Sequence, residues 1–150
     1  MVPMRSGVMS SQRKTLWRCP SCGRQFAKRS QWHSCRRLPI DHHFRGKDPQ
    51  LRKTYEMLIA PLRRLGPLRI DAVKSSINLV SRYHFGGISV RKDYLRLGFL
   101  SDRTIEDPRI LGRERLGPHR LIHSVIVHSP DEVDDLLLSW LQRAYTLQSE

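Results

Sequence analysis

The apolar positions of the chain change period twice. From Leu51 they recur at helical spacing through Tyr55, Leu58, Ile59, Leu62 and Leu65, which predicts a helix. Asp48 is placed to cap it and Pro49 suits its first position. Pro61 lacks an N–H and crowds the preceding turn, so it should kink the helix or end its regular part, and Gly66-Pro67 is a stop signal. The period then falls to two. Leu68 and Ile70 alternate with polar neighbours, as do Ile77 and Leu79 within 76–82, and Leu95, Leu97 and Phe99 alternate with Arg96 and Gly98. These segments predict strands, with another over 85–90, where Gly86-Gly87 allows a bulge or turn. Residues 101–117 are charged and contain Pro108 and two glycines, which reads as a long loop or hairpin excursion. Leu121–His128 is a last strand, apolar on both faces except for His123 and His128. Helical spacing returns at Val133, Leu136, Leu137, Trp140, Leu141 and Ala144. Ser129, Pro130 and Glu132 predict its capped start. The order helix, mostly antiparallel strands, helix predicts an α+β domain over 48–150, with helices on one face of a sheet.

Ahead of this body the pattern is different. Residues 1–14 have no periodicity and are expected to form a disordered tail. Residues 15–37 contain all three cysteines, and residues 38–47 read as a linker holding Asp41-His42-His43-Phe44. The cysteine segment has the spacing C-x2-C-x10-H-x-C, from Cys19 and Cys22 to His33 and Cys35. Two cysteines two residues apart can grip one ion from a tight turn, with Pro20 and Gly23 supplying the turn chemistry. Three thiolates and one imidazole fill a zinc tetrahedron, the closed arrangement of a structural site rather than a catalytic one. So short a module cannot bury a sufficient core, and the zinc ion would supply its folding free energy. Trp17, Phe26 and Trp32 would then pack as its small core. His33 is the preferred fourth ligand and His42 the alternative. A thioredoxin-type redox pair would be expected near a βαβ pattern, and the sequence has none.

Charge changes the picture most at this end. Residues 1–37 hold nine Arg or Lys and no Asp or Glu, within a net charge of +13. Such an arm suggests a polyanionic partner, nucleic acid first, gripped by Arg18, Arg24, Lys28, Arg29, Arg36 and Arg37 through salt-dependent phosphate contacts. The alternative is a small-ligand or protein-interaction domain in which His84, His119, Arg120 and His123 are candidate polar groups. An enzyme is disfavoured, because no nucleophile elbow, P-loop, dinucleotide fingerprint or helical two-histidine motif is present. Asp131-Glu132 and Asp134-Asp135 are explained as charges at a helix N-terminus. No stretch approaches the ~20 apolar residues of a membrane span, and no secretory leader is evident, so a cytoplasmic protein is expected.

Three runs resemble bacterial proteins of the domain-of-unknown-function family numbered 5655. They are Trp17 to Phe26, Gln31-Trp32-His33-Ser34-Cys35 and Asp41-His42-His43-Phe44. The body agrees at Gly66-Pro67, Lys74 to Ile77, Phe85, the His123 strand, Ser129 to Asp134, Trp140-Leu141 and Ala144-Tyr145. The resemblance covers roughly residues 15–146 and implies that the His-x-Cys pair, hence His33, belongs to the metal motif. It implies no biochemical activity. Tyr83-His84-Phe85-Gly86-Gly87 departs from it, since relatives tend to carry small apolar residues after the Phe.

Overall fold

The computed structural model describes residues 16–20, 23, 25–30 and 38–149. The chain divides into two units, residues 1–36 and 37–150.

In the first unit, β1 (Trp17–Arg18) pairs antiparallel with β2 (Gln25–Phe26), Trp17 opposite Phe26. The connection starts from a tight turn in which the Gly23 N–H donates to the Cys19 carbonyl at 2.9 Å. Gly23 has φ +78°, a conformation that disfavours any residue with a Cβ. The Arg18 guanidinium donates to the Gly23 carbonyl at 2.8 Å, so one basic side chain of the arm is spent on the turn itself. Trp17 and Phe26 lie 6.1 Å apart between ring centroids.

The second unit opens with α1 (Ile40–Phe44), a short helix inside the segment read as a linker, followed by α2 (Gln50–Arg63). Asp48 holds the start of α2 with Oδ1, which accepts from the Gln50 N–H at 3.0 Å. Pro61 sits in the last turn, where the helix is ending. Six strands follow: β3 (Arg69–Ala72), β4 (Ile77–Val80), β5 (His84–Val90), β6 (Leu95–Ser101), β7 (Ile110–Gly117) and β8 (Arg120–Val127). They form one sheet in the order β3-β4-β5-β6-β8-β7, every neighbouring pair antiparallel. The α+β class is therefore as expected. The 101–117 excursion is a correction in part: its second half is edge strand β7.

The start of the closing helix is also corrected. Pro130–Glu132 is a separate 3-10 turn, and α3 spans Asp135–Leu147. Asp134 caps it, Oδ1 accepting from the Leu137 N–H at 2.9 Å. The Glu132 carboxylate accepts from the His128 N–H at 2.8 Å, outside the helix it was expected to box. The buried stripe of α3 is Leu137, Leu141, Ala144 and Tyr145, whereas Leu136 faces solvent. That stripe and Leu51, Leu58, Ile59 and Leu62 of α2 cover one face of the sheet, against Ile77, Leu79, Ile88, Leu97, Phe99 and Val125. Among the described residues no helix is long and apolar enough to cross a membrane.

Candidate ligand-binding groove

With both long helices on one face, strand alternation sends the remaining side chains to the other. Register decides what meets there. Asp71 lies opposite Asn78, Asn78 opposite Gly87, Gly87 opposite Gly98, Gly98 opposite Ser124, and Ser124 opposite Gly112. One row across all six strands thus lacks any large apolar side chain, and the sheet surface is hollow along it. The groove over its middle has a volume of about 320 Å³, within the range of about 300–1,000 Å³ typical of small-molecule sites. Ser76, Asn78 and Ser89 stand on one side of the glycine floor, and Leu100, Leu116 and Ile122 on the other. Among the described residues, Arg96 and Arg120 are its two guanidinium cations, and no carboxylate or thiol lines it. Such a lining can hold an anion through Arg, hydroxyl and amide donors beside an apolar wall.

The three lining glycines differ in what they tolerate. A Cβ on Gly86 would meet the Gly98 carbonyl oxygen at 2.8 Å, a backbone clash, so this residue is needed for strand packing. A Cβ on Gly98 would meet nothing closer than 3.9 Å, and one on Gly87 nothing closer than 3.6 Å. At these two positions the fold leaves space that a side chain could occupy.

Of the polar groups anticipated for a ligand, His84 and Arg120 line the groove. His119 sits in the exposed turn between β7 and β8. His123 is a correction: it is fully buried on the helix side. Its ring stacks on Phe99 at 5.8 Å, and its Nε2 accepts from the Ile105 N–H at 3.1 Å, anchoring the loop before β7. Burial, and secondarily the Arg113 guanidinium, holds this imidazole below the ordinary histidine range, with Glu106 opposing. The unfolded chain binds a proton near pH ~6.5 that the native state resists, so folding stability is flat above that pH and falls below it. One such group steepens the fall by at most ~1.4 kcal/mol per pH unit. Urea midpoints at pH 7.5 and 5.5 should therefore differ more in the wild type than in His123→Gln, whose amide oxygen can still accept from Ile105.

The basic arm and metal ligands are only partly in view. Cys19 is buried at the hairpin turn, while Cys22, His33 and Cys35 lie outside the described residues, as do Arg24, Arg36 and Arg37. Lys28 and Arg29 are exposed in the turn after β2. His42 belongs to α1 of the second unit. Among the described residues no cluster of three or more His, Cys, Asp or Glu could hold a metal ion.

The second unit is thus an α+β domain, a helix-backed antiparallel sheet with a hollow open face. The profile of the family described as "Domain of unknown function (DUF5655)" matches residues 40–148, and the chain belongs to that family. The match begins at the first residue of α1 and does not include the cysteine segment. No curated protein and no solved structure matches the chain.

Proposed function

We propose that this chain is a non-enzymatic binding protein whose second unit holds a small anionic ligand on the open face of the sheet. The observation that carries this reading is the Gly87–Gly98–Ser124 row, which leaves a groove in the middle of the sheet where alternation would ordinarily place larger side chains. Arg96 and Arg120, with no acidic side chain among the described lining residues, support an anionic ligand. In the first unit, Cys19, Cys22, His33 and Cys35 would hold a structural zinc ion. The buried Cys19 and the Gly23 turn fit a Cys-x2-Cys grip.

A second reading rests on a different observation, the nine cations and no acids of residues 1–37: the arm binds nucleic acid through its phosphates. One experiment separates the two. Thermal shifts are recorded with anionic metabolites and with an oligonucleotide, on wild type and Gly98→Val. Stabilisation by a metabolite that the variant loses supports the groove. Stabilisation by the oligonucleotide alone, equal in both proteins, replaces it with the second reading. The zinc assignment has its own measurement. Purified wild type should contain one zinc per chain and Cys19→Ser far less, since a lost thiolate opens a structural site. Equal zinc in the two proteins would refute the ligand set.

A further inference from the structure

Beside the groove lies a second pocket of about 260 Å³. Its cations come from three places. The connection from α1 to α2 supplies Lys47, the turn between β3 and β4 supplies Lys74, and Arg91 follows β5. His42 and His43 line it from α1, and among the described residues no carboxylate does. Of the acids near in sequence, Asp41 pairs with Arg52, Asp48 Oδ1 accepts from the Gln50 N–H, Asp71 pairs with Arg69, and Asp93, two residues from Arg91, is not in the described lining. Exposed Lys and Arg clusters are commonly just solvated, but this one is built. Lys47 Nζ is held by the Val90 carbonyl at 2.8 Å. His43 is 7% exposed, and its Nε2 has no hydrogen-bond partner among the described residues. The other ring nitrogen is committed to the Val73 backbone, so Nε2 of the neutral ring is an acceptor. A buried acceptor left unpaired costs free energy, which a protonated oxygen of the ligand, donating to it, would recover.

The two pockets share one wall. Ser89 lines both, and its Oγ reaches the Ser75 carbonyl at 3.4 Å. Ser89 also lies opposite Arg96 in the sheet register. A ligand on the glycine floor therefore needs only to pass Ser89 to reach three cations.

We infer that the Lys47–Lys74–Arg91 pocket is a phosphoryl subsite, taking the tetrahedral oxyanion at one end of the ligand whose body lies in the groove. The inference rests on the groove reading for the ligand's body and on the cation pocket alone for its charged end. A guanidinium fork with two ammonium groups matches the geometry and charge of a phosphoryl group, so the ligand class is a phosphorylated small molecule.

The test is an amide-resolved NMR titration of the full chain with inorganic phosphate at low ionic strength. Wild type, Lys74→Ala/Arg91→Ala, Gly98→Val and the distant Arg115→Ala are compared. Saturable shifts at Ser75, Ser89 and Arg91 are expected, weakened about tenfold or more in the double variant, as loss of charged contacts requires, and unchanged in the other two. Absence of saturation in wild type overturns the subsite. So does equal weakening in Arg115→Ala, which would mean diffuse attraction to a basic protein. A response lost in Gly98→Val and kept in the double variant would place the anion at Arg96 and Arg120, also against it. Failure of the groove reading looks different: metabolite binding indifferent to Gly98→Val, with the phosphate shifts intact.

Discussion

Phe99→Ala is expected to destabilise the second unit by about 3–5 kcal/mol, the range for removing a large buried aromatic. The ring is 1% exposed in a central strand. It is stacked on His123 at 5.8 Å and on Trp140 at 5.8 Å, so α3 and β8 both lose a partner when it goes. The damage would spread along a chain of contacts. Arg109 lies over the Trp140 ring at 5.0 Å and reaches Asp134, the cap of α3, at 3.1 Å. Since domains of this size are stable by only about 5–15 kcal/mol, the variant should be near the edge of folding at 37 °C. Urea denaturation followed by circular dichroism measures it, with Leu136→Ala as the control. Leu136 is 49% exposed, and its truncation should cost no more than about 0.5 kcal/mol. A loss below about 1 kcal/mol at Phe99 would mean that the site collapses around the gap.

The elements that the sequence made legible are those whose own residues carry the burial signal. Leu95, Leu97 and Phe99 face the core in the order their alternation predicted, and Leu58, Leu62 and Leu141 do so on their helices. Strand β7 was not legible, because nearly all of it is exposed. It is an edge strand held by pairing with β8, and pairing leaves no apolar period behind. The short α1 has too few residues to show a period at all. At the closing helix two candidate caps lie within six residues. Ser129 makes no side-chain cap bond and Glu132 reaches back to the His128 N–H, closing a separate 3-10 turn, while Asp134 starts the helix, so the expected capping box does not form. His123 could have been assigned to the core from the sequence, since period two puts it on the side of Leu121, Val125 and Val127. The groove could not. Gly87, Gly98 and Ser124 are separated along the chain and become neighbours only through strand register, which no local pattern encodes. Their one local trace is a glycine inside an otherwise clean strand, a sign of close approach by backbone or ligand.

Gly98→Val joins that trace to function, because stability and binding should move in opposite directions. Glycine in a strand interior costs stability through backbone entropy and absent packing, whereas valine suits a strand, the scale spanning about 1 kcal/mol. The Cβ would meet only the His123 carbonyl and the Ile122 side chain, both at 3.9 Å, which is ordinary contact. The variant should therefore fold with equal or higher stability. Its isopropyl group would stand on the groove floor between Gly87 and Ser124, where the proposed ligand lies. Affinity for any metabolite that stabilises the wild type should fall at least tenfold, as loss of a well-filled contact surface implies. Calorimetric titration and urea unfolding on the same preparation read both quantities. A more stable protein that binds less would mean that the glycine is kept at a cost in stability for the space it leaves. A less stable protein with unchanged affinity would mean that the glycine serves strand packing, as Gly86 does, and that the ligand lies elsewhere.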